Sequence, residues 1–123
     1  MPINHGRESP EHCEGKRALG CLLSHRKFFV LFEHRLADVV AFRQTHGRRR
    51  IICGEHELTN RNVRRNVQRD FANGCNAIVI LVPNESARAS VRRLLRREFP
   101  RHIWTCVGIV THDACRRQVG APP

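Results

Sequence analysis

Long apolar runs are missing from this sequence of 123 residues. The longest run falls far short of the ~20 residues that span a bilayer, and no apolar secretory segment opens the chain. These absences argue against a membrane protein and against an exported one. We therefore expect an intracellular, cytoplasmic protein that makes no membrane contact.

Cysteine pairs of the Cys-x-x-Cys type are also missing, although the chain has six cysteines. Cys53, Cys75 and Cys106 lie within or beside apolar runs, where cysteine behaves as a small buried hydrophobic residue. A disulfide framework is the alternative interpretation, but this pattern favours free thiols in a reducing compartment.

Acidic residues are scarce, since 11 Asp and Glu face 22 Lys and Arg, which gives a formal net charge of +11. Such an excess repels itself and favours a polyanionic partner, so we expect nucleic acid. Lysine is rarer still, with Lys16 and Lys27 alone, and arginine suits bidentate contacts with phosphate. Genome composition bias explains arginine in place of lysine, but it does not explain the net charge.

Hydrophobic residues make up 41% of the chain, which is typical of a globular fold rather than a disordered one. Periodicity and breakers predict helices over 14–24, 60–71 and 85–99, and strands over 28–33, 36–42, 49–58, 76–82 and 102–110. The order α-β-β-β-α-β-α-β predicts an α/β fold, in which a mixed central sheet (an antiparallel hairpin followed by β-α-β) is flanked by helices. We expect one domain over 14–110, between a disordered segment over 1–13 and a loose tail over 111–123.

A tight hairpin is predicted where His46-Gly47 separates two strands. If these are the two central turn residues, opposed residues have numbers that sum to 93, so Asp38 lies across from Glu55. Alternation places Glu57 on the same face as Glu55. The apolar members of that face are Val40, Phe42, Ile51 and Cys53.

Three carboxylates at the end of an apolar row repel one another, and each costs free energy to desolvate. A divalent cation resolves this conflict, because Mg²⁺ or Mn²⁺ takes carboxylate oxygens and keeps waters for a substrate phosphate. The simpler alternative is that the acids pair with arginines across the sheet, and the chain has many arginines.

These residues resemble a known family. The stretches LADVVAF, RRIICGEHEL, NRNVRRNVQRDF and NAIVILVPNE resemble the PD-(D/E)xK nuclease superfamily, and most of all its restriction endonuclease-like domains on mobile elements. The resemblance covers roughly residues 36–95. It implies a restriction endonuclease-like fold and hydrolysis of phosphodiester bonds in DNA with Mg²⁺ or Mn²⁺ as cofactor.

The resemblance also assigns catalytic and metal-binding roles. Asp38 matches the first metal ligand and Glu55 the second, and the backbone carbonyl of His56 would help to hold the ion. Glu57 stands where most of the superfamily has its catalytic lysine. Asn66 matches an inward asparagine of the following helix that orients the site.

Two departures from the family pattern bear on activity. Ala37 replaces the proline before the first ligand, and Glu57 replaces the lysine. Some subfamilies have this E-x-E form, but loss of the lysine also marks domains that no longer cut. Arg64 or Arg65 on the next helix is a candidate for the missing positive charge.

Further arginines are candidate phosphate contacts. Arg48, Arg49 and Arg50 leave the hairpin turn, where they are either a phosphate clamp or a solvated turn. Together with Arg64 and Arg65 they form the predicted nucleic-acid-binding set.

Two other groups of residues carry weaker signals. His12-Cys13 and His112 with Cys115 have zinc-ligand side chains, but their spacing fits no common structural zinc site. Trp104 is expected in the core rather than as a platform on which bases stack.

Three functions stay open at this point. The first is a metal-dependent endonuclease, which in this family often acts as a homodimer. The second is a non-catalytic nucleic-acid-binding module that keeps the nuclease fold. The third is an accessory domain that works beside a helicase or a DNA-transfer ATPase.

Overall fold

Ten helices and strands follow one another in the computed structural model, which describes residues 9–32 and 37–120. They are α1 (Pro10–His25), β1 (Phe29–Phe32), β2 (Val39–Thr45), β3 (Arg48–His56), α2 (Val63–Ala72), β4 (Ala77–Val82), α3 (Glu85–Glu98), α4 (Arg101–Trp104), β5 (Val107–Thr111) and α5 (His112–Gly120). The strands form one sheet in the order β1-β2-β3-β4-β5. β1, β2 and β3 are antiparallel, whereas β3, β4 and β5 are parallel. The predicted α/β class and mixed sheet are confirmed.

The β2–β3 hairpin has the predicted register. Val40 pairs with Cys53, and Thr45 pairs with Arg48 across the turn. His46 and Gly47 have φ angles of 52° and 79°, as a two-residue turn with two left-handed residues requires. The turn therefore sets which side chains share a face along the whole hairpin.

Both faces of the sheet are covered by helices. On one face, β3 and β4 pack against α2 and α3, and the buried side chains include Cys53, Val67, Ile80 and Val91. On the other face α1 and α5 cover Val39, Ala41 and Leu81, among others. Successive residues of a strand point to opposite faces of the sheet, so they belong to different cores. Phe42 joins neither cluster and stacks on Phe29 of the edge strand β1, with ring centroids 5.3 Å apart.

The first helix begins earlier than the sequence predicts, so residues 10–13 are helical and the expected disorder of 1–13 is wrong there. The Ser9 hydroxyl accepts a hydrogen bond from the His12 N–H at 3.1 Å, and Pro10 occupies the first turn, where its missing N–H costs nothing. Residues 1–8 lie outside the described part of the chain.

Two glycines let α1 approach the sheet closely. A Cβ on Gly15 would lie 2.3 Å from the imidazole of His56, and one on Gly20 would lie 2.5 Å from the ring of Phe32. Glycine is unfavourable inside a helix, so the benefit of glycine at these two positions is that it permits close packing.

The C-terminal third differs from the prediction. Residues 102–104 belong to the one-turn helix α4, because Pro100 accepts hydrogen bonds from the N–H groups of Ile103 and Trp104. The strand predicted over 102–110 is therefore shorter, since β5 begins at Val107.

The segment expected to be a loose tail forms α5. The hydroxyl of Thr111 accepts a hydrogen bond from the Ala114 N–H at 3.2 Å near its start, and Cys115 is buried against α1. Burial of Cys115 thus stabilises this segment as a helix. Its many polar residues give no apolar periodicity from which the helix could be predicted. Residues 121–123 lie outside the described part.

A disulfide bond joins Cys53 and Cys75, whereas Cys13, Cys21, Cys106 and Cys115 form no disulfide within the described residues. This bond is a correction to the expectation of free thiols, and it gives no support to a reducing compartment. Among the described residues, no helix is long and apolar enough to cross a membrane.

Candidate functional site

Asp38 lies one residue before β2, next to the end of β3. Its Oδ2 accepts a hydrogen bond from the backbone N–H of His56 at 2.9 Å, and its Oδ1 lies 3.3 Å from Nε2 of His12. The side chain remains 22% exposed. The hairpin register thus brings Asp38 beside the Glu55-His56-Glu57 segment, as the sequence predicts.

Glu55 is 2% exposed and lies on the α2 side of the sheet. Nη2 of Arg69 donates to its Oε2 at 2.8 Å, and the same guanidinium donates to Oδ1 of Asp70 at 3.2 Å. Burial raises the pKa of Glu55 well above its ordinary value; Asp70 and Asp38 add to this rise, and Arg69 opposes it. One guanidinium therefore does not balance the negative charge around Glu55.

Asp70 is the most confined acid of the site, at 0% exposure on α2. Its Oδ1 accepts from Arg69 and its carboxyl group lies within hydrogen-bonding reach of Glu55, whereas its Oδ2 has no hydrogen-bond partner among the described residues. Such an atom marks a place where a proton or a cation is missing.

Glu57 is 7% exposed, and Nδ2 of Asn66 donates to its Oε2 at 2.6 Å. Burial raises the pKa of Glu57 to about 7; Asp38 acts in the same direction, and the hydrogen bond from Asn66 opposes it. The structure thus brings Asp38, Glu55, Glu57 and Asn66 together, which is the set predicted as catalytic.

A chain of three imidazoles adjoins Asp38 on the α1 side of the sheet. Nδ1 of His12 lies 3.1 Å from Nδ1 of His56, and Nε2 of His56 lies 3.2 Å from Nε2 of His112. One set of neutral tautomers satisfies every contact: His112 donates to His56, His56 to His12, and His12 to Asp38. Burial lowers the pKa of His56 to about 4, and the two other imidazoles act in the same direction.

This imidazole chain was missed because its members are distant in sequence. His12 and His112 lie about a hundred positions apart, on α1 and α5. Only the packing of both helices on one face of the sheet brings them to His56. Across residues 9–32 and 37–120, no three His, Cys, Asp or Glu side chains are arranged to hold a metal ion.

Arg69 and Asp70 were also missed, although the sequence carried a signal. Asp70 lies three positions after Val67 and seven after Val63, and both of these valines face the core. A helix therefore presents Asp70 on its buried side. Arg69 contacts Glu55, whereas Nε of Arg64 pairs with Glu98 on α3 at 3.1 Å. Arg65 is exposed.

The arginines of the hairpin turn lie far from the acids. Arg48, Arg49 and Arg50 are exposed at the start of β3, and Glu55 lies near its end. Seven residues of extended strand separate Arg48 from Glu55, which is about 20 Å. The predicted nucleic-acid-binding arginines Arg48, Arg49 and Arg50 are therefore not part of the acidic site.

The histidine backbone predicted as a ligand belongs to the end of β3. His56 pairs with Leu81 of β4, and the carbonyl of Leu81 accepts the N–H of Glu57 at 2.9 Å. The bond from the Glu57 N–H to Leu81 and the bond from the His56 N–H to Asp38 thus fix the peptide units on both sides of the His56 α-carbon, which orients the two glutamates of the segment.

Comparisons with known proteins add no relative. No family model, curated protein or solved structure matches this chain. The functional argument therefore rests on the chain's own residues.

Proposed function

We propose that this protein is a divalent-metal-dependent nuclease that hydrolyses phosphodiester bonds in DNA. In this proposal it is a divergent E-x-E member of the PD-(D/E)xK superfamily with a restriction endonuclease-like fold. The element order from α1 to β4 and the position of Asp38 beside Glu55 and Glu57 support this family assignment.

One observation carries the proposal: a buried group of carboxylates with too little positive charge beside it, in a chain of net charge +11. Glu55, Glu57 and Asp70 are all under 10% exposed, and Oδ2 of Asp70 has no partner among the described residues. Removing such groups from water is costly, so a fold that needed only stability would gain by replacing them. A cation compensates this cost.

The donor set fits Mg²⁺ or Mn²⁺ in its chemistry, because both ions prefer carboxylate oxygens. Asp38 and Glu55 would hold the ion, with the backbone carbonyl of His56. A bound divalent cation supplies an activated water and stabilises charge at phosphorus. To bind it, Glu55 must turn from Arg69, because no three of these side chains are arranged around one point in the described residues.

The chain's own residues have separate tasks in this proposal. Asn66 holds the Glu57 carboxylate in place through its hydrogen bond. His12 and the His56 N–H orient the two oxygens of Asp38. Arg69 lies where it can pass from Glu55 to a substrate phosphate, and the exposed arginines hold the rest of the backbone.

A second candidate is a nucleic-acid-binding module that keeps the fold but does not cut. The contact between Arg69 and Glu55 favours it, because Arg69 already supplies positive charge to the carboxylates in place of a bound cation. In this case the acids and Arg69 form a structural network, and binding depends on the surface arginines alone.

The test is cleavage of labelled single- and double-stranded DNA in Mg²⁺ or Mn²⁺, with EDTA as a control. We expect wild-type cleavage to vanish in Asp38→Ala and in EDTA. Asp113→Ala is the matched control, because Asp113 is an exposed acid on α5 that pairs with Arg116. Salt-sensitive binding without cleavage, equal in wild type and Asp38→Ala, would reject the nuclease and leave the binding module.

A further inference from the structure

A second charged surface lies at the far edge of the sheet, between α3 and β5. It is a groove of about 460 Å³. Its lining includes Arg88, Arg92, Arg96, Trp104, Val107 and Ile109. We call this surface the α3–β5 groove. No acidic side chain of the described residues lines it.

Three arginines of the α3–β5 groove stand on one side of α3. Arg88, Arg92 and Arg96 are spaced by four residues, so they follow one another along one helical face. Like charges at this spacing destabilise a helix, and a phosphate backbone alongside them removes that repulsion. Within the described structure Arg92 has no hydrogen bond or ion pair, whereas Arg88 donates weakly to Ile109 and Glu85.

An aromatic ring stands at the end of this row. The guanidinium carbon of Arg96 lies 4.8 Å from the centroid of the Trp104 ring, and Arg96 itself is exposed. Trp104 is half-buried against the core, so its indole is held rigidly. Arginine on indole forms a flat, charged platform on which a base can stack.

The opposite wall leaves room for a strand of nucleic acid. β5 has β4 as its one neighbour in the described sheet, so the outer edge of β5 beside the groove is open. Glu55, Ile80 and Ile109 share one row across β3, β4 and β5, so the groove lies about 10 Å from the Glu55 backbone.

We propose that the α3–β5 groove binds a single-stranded segment of nucleic acid. Its phosphates lie along Arg88, Arg92 and Arg96, and an unpaired base stacks on the Arg96–Trp104 pair. A duplex does not fit this role, because its bases already stack on one another. The groove does not depend on the acidic site, and its binding is measured without cleavage.

Trp104 makes the test direct, because the chain has one tryptophan and no tyrosine. Tryptophan emission therefore reports on the groove alone. Oligothymidylate is titrated into the full chain in EDTA at low salt, and a hairpin duplex of equal charge is the comparison. We expect oligothymidylate to quench the emission and the duplex to leave it nearly unchanged.

Two adjacent arginines provide matched variants, with affinity measured by anisotropy of labelled oligothymidylate. Arg92 lines the groove and Arg93 does not, although both are exposed residues of α3. We expect Arg92→Ala to weaken binding about fivefold and Arg93→Ala at most about twofold. Trp104→Leu, which removes the aromatic ring and keeps an apolar side chain, should weaken it about tenfold, in the range measured for lost base stacking.

The contrary results are equally specific. Equal losses in Arg92→Ala and Arg93→Ala would show that the charge acts without a defined groove. Unchanged tryptophan emission at saturating oligothymidylate, or equal quenching by the duplex, would overturn the single-strand assignment. Because EDTA is present throughout, a protein without nuclease activity can still pass this test.

Discussion

Arg69 holds Glu55 at 2.8 Å, and this contact joins a side chain of α2 to one of β3 inside the protein. The same guanidinium also contacts its neighbour Asp70, so one positive charge serves two buried carboxylates. Glu57 and Asp38 add further negative charge nearby. The acidic site is therefore short of positive charge.

Asp70→Asn should stabilise the protein in EDTA at pH 8 by about 1–3 kcal/mol. The substitution removes a buried charge whose Oδ2 has no described partner, and an amide of similar shape can donate to Glu55. The measurement is the free energy of unfolding in urea. Asp113→Asn is the control, because Asp113 is exposed. A loss of stability in Asp70→Asn would show that the carboxylate is compensated.

Stability should depend on pH through Glu57. Its pKa is about 7 in the folded protein, above the ordinary glutamate value of 4.5, so the protonated form favours the folded state. This contribution is complete below pH 4.5 and is lost as the pH rises through 7. Glu57→Gln has no carboxyl group to ionise and does not lose this contribution. The free energy of unfolding of the variant minus that of wild type should therefore rise by about 3 kcal/mol between pH 4.5 and 8.

His56 titrates in the opposite sense, and this is why the comparison must be made with a variant. Its pKa of about 4 lies below the ordinary histidine value of 6.5, so its contribution to stability is present above pH 6.5 and is lost as the pH falls towards 4. The two contributions oppose each other in wild type. Urea unfolding of wild type and Glu57→Gln over this range isolates Glu57, and parallel pH profiles would contradict the burial of its charge.

Much of the hairpin could be predicted from the sequence, because local chemistry fixes it. His46-Gly47 permits the tight turn, and the turn then places Asp38 beside Glu55. The strands β3 and β4 could be predicted because each contains a run of consecutive apolar residues. Such a run is typical of a strand whose sheet is covered on both faces. Asp38, Glu55 and Glu57 depend on the same register and could be named from it, whereas Asn66 on α2 is implied only by the resemblance to the nuclease family.

The rest of the site depends on contacts between distant parts of the chain. α5 has few apolar residues, and it is fixed by burial of Cys115 against α1. The contacts between the imidazoles of His12, His56 and His112 form only because α1 and α5 pack on the same face of the sheet. Neither periodicity nor residue spacing reports such tertiary packing.

Gly15→Ala should destabilise the protein by about 1–3 kcal/mol, since a Cβ would lie 2.3 Å from the buried ring of His56. Gly20→Ala is the matched control on the same helix. Its Cβ would meet the ring of Phe32, which is 52% exposed and can move, so this variant should be near neutral. Equal thermal unfolding midpoints for the two variants would show that α1 does not hold His56 closely.

Alkylation should label four of the six cysteines when the protein is unfolded without reductant, and all six after reduction. The unlabelled pair should be Cys53 and Cys75, identified by mass spectrometry of a non-reduced digest. The bond closes a loop of 22 residues, so the Cys53→Ala and Cys75→Ala double variant should lose a few kcal/mol of stability, on the order of 3. Six labelled cysteines without reductant would contradict the bond.

The central claim is that the buried carboxylates hold a divalent cation, and titration of Mn²⁺ followed by electron paramagnetic resonance tests it most directly. The signal of free Mn²⁺ disappears when the ion binds, so the measurement needs neither substrate nor activity. We expect saturable binding to wild type and to the exposed-acid control Asp113→Asn, with loss in Asp38→Asn and in Glu55→Gln. Binding that is absent from wild type, or equal in all four proteins, would contradict the claim.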